Sequence, residues 1–592
     1  MSKKHSVITL ICSVCLLLFF VFFFCRVTRD ENQKFEDYTS ALFRQEVSSG
    51  TISLHYTLKE PEKYGITHAP VSLGSVACDA DAVRAAAENA LALLYSYDRG
   101  KLSEANRQTY DVLEAYFSSS LAEGKYILYE EPLAPLTGTQ SQLPVILSEY
   151  RFYDVEDCDT YLDLLTKIPE YFRSIIAFEQ AKSDAGLFMA DYSADALIEE
   201  CSAFVEMGRA NYLYSSFEER LSTLGLPEET AASYIEINCR AIEAYVFPAY
   251  QELIQALTEL KGTGKNTGGL CHLPDGDEYY ALTVASQTGS SRTIPELQAL
   301  ALAQIAEDST ALQQVLASTA DASPSNPSSD AGSSSLTDLL ALEQTFPDSS
   351  PGDILRDLEK GIRAAFPAPP EVNTEVKYVQ ESMEEYLSPA FYMIPAIDDT
   401  ENNVIYINEE HMPDGLTLFT TLAHEGYPGH LYQTVYYSST QPDPIRNLVS
   451  CGGYIEGWAT YGEMMSYYLA PLSKEQATLM QRNSSIILGL YALADMGIHY
   501  DGWSLLDTIS FFRDYGITDN ETIEEIYELI VADPGNYLKY YIGYVELLEL
   551  KKDAMEEWGD KFTQERFHRE VLEIGPAPFE ILRKYMLGTY TF

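Results

Sequence analysis

Apolar residues recur every three or four positions along most of this chain, which is the spacing of one buried face of an α-helix. The clearest case runs from Asp79 to Tyr97, where alanines and leucines alternate with charged residues. The same pattern predicts helices over residues 159–182, 193–224, 229–260 and 294–316. Strand-like alternation is scarce, with one clear run from Asn403 to Asn408 between turn residues. The pattern therefore predicts a mainly α protein with a short β segment.

The amino-terminal residues follow a different pattern. Residues 7–25 are almost wholly apolar, about the length of helix that crosses a bilayer core. They follow a short tail, residues 1–6, and precede a polar stretch, residues 26–34. The run is long for a signal peptide and no small-residue cleavage site follows it, so we expect an uncleaved transmembrane anchor with the body outside the cytoplasm. A cleaved signal, which would give a secreted protein, is the alternative.

A lipid anchor is the other possibility that the amino terminus raises. Cys25 ends the apolar run, but Phe24 is bulky where a lipoprotein signal needs a small residue. Cys12 and Cys15 also lie in the apolar run, and the other six cysteines are scattered singly with no CxxC pair among them. The cysteines therefore predict neither a disulfide scaffold nor a cysteine zinc site.

Residues 35–592 are predicted to form one large helical body. Its pattern is interrupted at residues 318–335, where serine, proline, alanine and aspartate replace the apolar residues. Such a stretch cannot bury a core, so we expect a disordered surface insertion or a separator between domains.

Charge excludes one broad class of function. The 592 residues include 39 lysines and arginines against 89 aspartates and glutamates, a formal net charge of −50. Binding to nucleic acid needs concentrated basic residues, so we expect no nucleic-acid partner. Hydrophobic residues make up 46% of the chain, enough to build a sizeable core. Nothing in the sequence indicates the oligomeric state.

Candidate chemistry is concentrated at His424-Glu425-Gly-Tyr-Pro428-Gly429-His430, which follows an apolar helical approach. Common zinc peptidases present two histidines four residues apart on one helical face. Here the two histidines are six residues apart, about 240° around a regular helix. Proline and glycine between them allow a break that turns His430 back towards His424. A helix end with two incidental histidines is the alternative interpretation.

Two glutamates downstream strengthen the metal interpretation. Glu456 lies 26 residues after His430, a usual distance for a carboxylate ligand supplied by a following helix. Glu463 lies two helical turns further on the same face and could serve as a second ligand or as an outer partner of a ligand. Glu456 is followed by Gly457, Trp458 and Ala459, a poor environment for an unpaired carboxylate.

These motifs resemble a bacterial family called domain of unknown function 885, whose members look like zinc metallopeptidases. The likeness covers roughly residues 35–592 outside the serine-rich stretch. It rests on the His424–His430 motif with Gln433, on Glu456-Gly-Trp-Ala, and on four weaker motifs at 273–280, 495–503, 534–543 and 567–568. The chain departs from the family at Leu431, Asn536 and Lys539, where many members carry histidine, glutamine and serine. The departure at Leu431 removes a possible contact with a ligand residue or with substrate, whereas those at Asn536 and Lys539 concern substrate preference more than catalysis.

The resemblance implies a helical, metallopeptidase-like body that holds one Zn²⁺ through His424, His430 and Glu456. Glu425 would act as the general base on a zinc-activated water. Resemblance and residue type make Tyr540 and His499 the candidate donors to the oxyanion. Asp495, four residues before His499, could orient its imidazole. The alternative for Tyr540, His499 and His568 is a purely structural role in the packed interior.

The expected function is therefore that of a membrane-anchored zinc metallopeptidase whose partner is a peptide or a small amide substrate. The run from Asn403 to Asn408 could be an edge strand that pairs with an extended peptide. Two other functions stay open: a zinc esterase or amidase acting on non-peptide substrates, and a non-catalytic surface protein that binds peptides. The presence of Glu425 beside His424 argues against the last, because a binding module needs no proton acceptor there.

Overall fold

The computed structural model describes residues 30–321, 349–379, 384, 388–412 and 415–588. The protein is mainly helical with one small sheet, as the apolar periodicity predicts. The first helices are α1 (Glu31–Val47), α2 (Thr51–Thr57), α3 (Ala80–Leu94) and α4 (Glu104–Glu123). Most of them begin at an aspartate or serine whose side chain accepts a hydrogen bond from a free backbone N–H of the first turn.

The middle of the chain surrounds a hydrophobic core of its own. Its helices are α5 (Thr139–Ser148), α6 (Val155–Ala185), α7 (Asp191–Glu206), α8 (Tyr212–Ser222), α9 (Glu228–Ala241) and α10 (Phe247–Leu260). Large aromatic side chains such as Phe172, Phe217 and Tyr250 fill this smaller core.

The larger core joins α1, α3 and α4 to the carboxy-terminal half of the chain. That half begins with α11 (Gly276–Thr288), α12 (Ile294–Asp321), α13 (Pro351–Ile362), α14 (Gly415–Glu425), α15 (His430–Ser439) and α16 (Gly452–Ser466). It continues with α17 (Lys474–Met496), α18 (Leu505–Asp514), α19 (Asn520–Ala532), α20 (Asn536–Trp558), α21 (Gln564–Ile574) and α22 (Phe579–Leu587).

The sheet lies between the two cores. Its strands are β1 (Asn373–Tyr378), β2 (Ala390–Met393) and β3 (Asn402–Ile407), in the order β1-β3-β2. Strand β3 is parallel to β1 and antiparallel to β2. Ile405 and Ile407 belong to the larger core, whereas Phe391 and Tyr406 pack against the smaller one.

Two of the predicted helices are divided in the structure. The range 193–224 splits into α7 and α8, because Gly208 takes a positive φ of 52° and Asn211 then caps α8. The range 229–260 becomes α9 and α10, joined by a π-helical turn at Ile242–Val246. The other ranges lie within or around α3, α6 and α12.

The amino-terminal prediction and most of the serine-rich insertion lie outside the described residues. Residues 7–25 belong to the part that is not described, as do residues 322–335. The prediction of an insertion is wrong for residues 318–321, which form the last turn of α12. Among the helices that are described, none has both the length and the apolar composition needed to cross a membrane. The six cysteines of the described part are all free thiols.

Candidate metal centre

The two histidines come from separate helices joined by a tight turn. Helix α14 ends at Glu425 and α15 begins at His430, so the proline and glycine end one helix and start another. The N–H of Gly429 donates to the carbonyl of Ala423 at 2.9 Å, and a Cβ at Gly429 would lie 1.8 Å from the carbonyl oxygen of His424. Only glycine therefore fits this close return of the backbone. The turn brings the two imidazole centroids to 4.8 Å.

Helix α16 supports the turn and supplies the carboxylate. The indole N–H of Trp458 donates to the carbonyl of Pro428 at 2.8 Å. Two residues earlier on the same helix, Oε2 of Glu456 lies 3.6 Å from Nε2 of His424 and 3.3 Å from Nε2 of His430. Ligand atoms of these three residues all lie within 4.8 Å of one another.

Glu463 lies on the far side of His424. Its Oε2 is 3.2 Å from Nδ1 of His424, two helical turns after Glu456. A neutral His424 that donates its Nδ1–H to Glu463 keeps Nε2 free to face Glu456 and His430. Glu463 is therefore placed as an outer partner of His424 and not as a member of the three-residue cluster.

The charges of the cluster are strongly coupled. Burial alone would lower the pKa of His424, but its hydrogen bonds with Glu456 and Glu463 raise that pKa well above the usual value. Burial alone would raise the pKa of Glu456, but its contacts with the two histidines hold it well below the usual range. Anionic Glu456 thus favours a positive charge at this point, either a proton or a cation.

The donor set fits a zinc ion. Zinc takes imidazole nitrogen and carboxylate oxygen at about 2.0–2.2 Å, so two ligands of a tetrahedral site lie roughly 3.3–3.6 Å apart. The distances from Glu456 to both histidines have this spacing without any rearrangement. Three protein ligands would leave the fourth position of a tetrahedral zinc ion open, whereas closed structural zinc sites use four protein ligands.

Glu425 is held beside the cluster by the sheet. The backbone N–H of Tyr392, on β2, donates to Oε2 of Glu425 at 2.8 Å. Nothing in the sequence points to Tyr392, because a backbone N–H contributes through position and not through residue type.

Tyr540 lies on the other side of the cluster, on α20. Its ring stacks near His424, with centroids 6.2 Å apart and planes 29° apart. Burial, with the negative charges of Glu456 and Glu425, raises the pKa of its hydroxyl well above the ordinary value. The hydroxyl therefore stays protonated and can donate a hydrogen bond. Lys539 is one of the positions where the chain departs from the motifs described above, and its Nζ lies 5.4 Å from the centroid of the Tyr540 ring.

The structure gives His499 other partners, which contradicts the predicted role in stabilising an oxyanion. Nδ1 of His499 accepts from the N–H of Leu270 at 3.1 Å, and Nε2 donates to the carbonyl of Ile530 at 2.8 Å. Both ring nitrogens are used and the side chain is buried. Burial lowers its pKa to about 4, so the ring is neutral. His499 joins three segments of the fold.

Asp495 does not orient His499 as predicted. Its carboxylate accepts from the hydroxyl of Tyr280 at 2.5 Å and from the N–H of Gly535. Gly535 immediately precedes α20, so Asp495 fixes the start of the helix that carries Tyr540.

His568 has a supporting role behind α16. Its Nε2 lies 2.9 Å from the hydroxyl of Tyr461 and its Nδ1 lies 2.8 Å from the carbonyl of Ala365. Its ring stacks on Phe366 at 3.8 Å, and burial lowers its pKa to about 3. His568 therefore helps to fix α16, and both its nitrogens are already used.

The predicted edge strand is central in the sheet. Strand β3, which contains Asn403, pairs with β1 on one side and β2 on the other. Its short alternating pattern could not show this, because the two neighbouring strands carry no clear alternation. The sheet edge beside the candidate site belongs to β2, where Tyr392 turns its N–H away from β3 towards Glu425.

A cavity of about 930 Å³ opens next to this edge. Its walls come from α2, α5 and the turn before α5, from β2 and its flanks, and from the start of α20. Tyr392 and Tyr540 both line it, as does Asn536, one of the positions where the chain departs from the family. The sequence offered no signal for this cavity, because residues near 52 and near 540 meet only in the folded chain.

Comparison with solved structures identifies a shared fold. One similar structure is described as "the putative lipoprotein from Colwellia psychrerythraea"; it is 18% identical, has a TM-score of 0.79, and the match covers 94% of this chain and 99% of that one. A second, described as "a putative lipoprotein of unknown function from Shewanella oneidensis", is 16% identical with a TM-score of 0.65, and the match covers 93% and 99%. Identities this low establish the fold alone.

The sequence comparisons give the family. No curated protein matches the chain. Residues 74–586 match the family described as bacterial protein of unknown function, DUF885, and this range includes every residue of the candidate centre. The chain is therefore a member of the DUF885 family.

Proposed function

We propose that the protein is a zinc-dependent hydrolase that cleaves peptide bonds. One observation carries the proposal: His424, His430 and Glu456 converge on one point, and a fourth ionisable group, Glu425, stands beside it. Two imidazoles and a carboxylate with an adjacent glutamate are the set that zinc peptidases use.

Each residue has a chemical task in this proposal. His424, His430 and Glu456 hold the ion, and Glu463 fixes the tautomer of His424 through Nδ1. The ion, when bound, supplies a Lewis acid that lowers the pKa of a coordinated water towards about 7. Glu425 accepts a proton from that water and passes it to the leaving amine.

Tyr392 and Tyr540 complete the arrangement. The N–H of Tyr392 occupies Oε2 of Glu425, which fixes the carboxylate and leaves its other oxygen for the proton. The protonated hydroxyl of Tyr540 donates to the negative charge that develops on the substrate carbonyl oxygen.

We also propose that the body works outside the cytoplasm while the chain stays attached to a membrane. The apolar run of residues 7–25 supports attachment, and the two similar structures are each described as a "putative lipoprotein". The net charge of −50 would keep the body away from anionic headgroups.

A digest of a mixed peptide library by the purified full-length protein, read by mass spectrometry, tests the activity. We expect cleavage that a zinc chelator abolishes and added Zn²⁺ restores. If the protein cleaves only ester or non-peptide amide substrates, it is a zinc esterase or amidase and not a peptidase. Peptide binding with no cleavage of any substrate would leave only a binding protein.

A further inference from the structure

The cavity beside the candidate centre is large compared with one side chain. Its volume of about 930 Å³ lies near the upper end of the range, roughly 300–1,000 Å³, in which proteins bind small molecules. It adjoins the centre through two of its lining residues, because Tyr392 holds Glu425 through its N–H and Tyr540 stacks near His424.

The lining of the cavity is uncharged. Among the described residues that line it, none is aspartate, glutamate, lysine, arginine or histidine. Several are large and apolar: Ile52, Leu136, Val145, Ile146, Phe391 and Ile394. The polar members are hydroxyl and amide side chains, and the amide of Gln142 already donates to the carbonyl of Leu136 at 2.9 Å.

Two apolar side chains of this lining are strongly exposed. Leu136 is 51% exposed and Ile394 is 60% exposed. They come from different segments of the lining, one before α5 and the other after β2. Large aliphatic side chains left open around one cavity lose contact with water when an apolar ligand covers them, which favours binding of such a ligand.

The walls are fixed in place without a ligand. The hydroxyl of Tyr56 joins α2 to α5 through the carbonyl of Ile146 at 2.5 Å. Thr137 donates to Asp533, near the start of α20, at 2.9 Å. Phe391 stacks on Tyr406 of β3, with planes 9° apart. A cavity held in this way binds ligands without first having to be ordered.

We infer that this cavity is the specificity site of the enzyme and that it takes uncharged, apolar side chains of the substrate next to the bond that is cleaved. The inference rests on the proposed peptidase function. A charged side chain in the cavity would lose its hydration and gain no counter-charge from the described lining, so lysine and aspartate should both be rejected. The overall negative charge of the protein would by itself disfavour aspartate alone.

Binding can be measured separately from turnover in the full-length Glu425→Gln protein with zinc present. The ligands are short glycine-alanine peptides, acetylated and amidated to remove terminal charges, with two adjacent leucines, lysines or aspartates at the centre. Calorimetry should show at least about 10-fold tighter binding of the leucine peptide than of either charged peptide.

The exposed position Ile394 provides a variant that should fold. In the Glu425→Gln background, Ile394→Glu places a charge at the cavity and should reduce the preference for leucine over lysine at least about 10-fold. Leu506→Glu is the matched control, because Leu506 is 76% exposed and does not line the cavity. The control should leave all three dissociation constants unchanged.

The outcomes separate the two proposals. Equal dissociation constants for the three peptides, no binding of any of them, or the same effect of Ile394→Glu and Leu506→Glu would overturn the specificity site. If wild-type protein cleaves none of these peptides but the leucine preference is found, the cavity assignment holds and the peptidase proposal fails. If wild-type protein cleaves all three equally well, the peptidase proposal holds and the cavity assignment fails.

Discussion

At the scale of single residues, the role of each side chain in the candidate centre follows from which of its polar atoms are already engaged in a hydrogen bond. Nδ1 of His424 is taken by Glu463, so its Nε2 faces the cluster. Glu425 has one oxygen held by the N–H of Tyr392, so one remains for a proton. His499, by contrast, has no ring nitrogen left over. The free Nε2 of His424 and the satisfied ring nitrogens of His499 therefore separate a candidate ligand from a structural histidine.

Replacing Glu425 by glutamine should separate metal binding from turnover. Glutamine keeps the shape of the side chain and can still accept the N–H of Tyr392, but it cannot take a proton. We expect zinc content to stay at the wild-type level and kcat to fall about 10²–10⁴-fold, the usual contribution of a general base. A smaller loss, measured on the zinc-loaded variant, would assign the proton transfer to another residue.

Replacing His499 by glutamine should change stability and spare the chemistry. At pH 7.5 the variant loses two buried hydrogen bonds to backbone groups, a cost of about 2–5 kcal/mol in the free energy of unfolding. We expect molecules that remain folded to keep wild-type activity, as read by kcat at a temperature well below both unfolding transitions.

The cost of this substitution should shrink in acid. The pKa of His499 is about 4 in the folded protein, against about 6.5 in an unfolded chain. As pH falls from 6.5 to 4, the unfolded wild-type chain takes up a proton that the folded one does not, so His499 destabilises the fold by up to about 1.4 kcal/mol per pH unit. Denaturant unfolding at pH 7.5 and 5.5 measures the difference. A pH-independent cost, or lost activity in a folded variant, would return His499 to the list of catalytic candidates.

At the scale of secondary structure, the centre depends on close contact between α16 and α20. A Cβ at Gly457 would lie 2.4 Å from the carbonyl carbon of Gly543, and one at Gly543 would lie 2.2 Å from the carbonyl oxygen of Gly453. The two helices therefore meet backbone to backbone, which sets the positions of Glu456 on one and Tyr540 on the other.

Even an alanine at Gly457 should force these helices apart. We expect Gly457→Ala to lower the free energy of unfolding by about 1–3 kcal/mol or more, because backbone atoms cannot move aside as a side chain can. Gly352→Ala is the control: its Cβ would meet only the end of Arg356 at 3.7 Å, and alanine favours the helix. Equal melting temperatures for the two variants would show that α16 and α20 can accommodate a Cβ at Gly457 without loss of stability.

Some of the contacts between helices and strands that form the site could be predicted from the sequence, and others could not. Proline and glycine between His424 and His430 predict the turn, and the seven-residue spacing predicts that Glu456 and Glu463 share a helical face. The contact of Tyr392 with Glu425 could not be predicted, because it needs the register of β2 against β3 and the position of the sheet beside α14. The periodicity of apolar residues predicts neither this register nor the position of the sheet.

At the scale of the whole molecule, the sequence predicts the helical class but not the assembly of the parts. The division into two hydrophobic cores depends on contacts between distant segments, for example α1 with the carboxy-terminal half. The cavity is defined in the same way, by α2, α5, β2 and α20 together. A local pattern cannot encode which distant segments meet.

The amino terminus should keep the whole protein at a membrane. We expect full-length protein in the membrane fraction, and protease added outside intact cells should cut within the serine-rich residues 322–335, since a segment of such composition has few apolar side chains to pack. The intact mass distinguishes the kinds of anchor: an uncleaved chain supports the transmembrane segment, whereas a chain beginning at a lipid-modified Cys25 supports a lipoprotein. Protection from protease would place the body inside the cell and contradict the proposal.

The zinc content of the purified full-length protein shows whether His424, His430 and Glu456 hold a metal ion. Elemental analysis after dialysis should find about one zinc per chain in the wild type and in His411→Ala, whose histidine is exposed and lies outside the cluster. His430→Ala and Glu456→Ala should each lose the metal, because each removes one of three ligands. Full zinc content in His430→Ala, or no metal in the wild type even after zinc is supplied, would contradict the assignment of this centre.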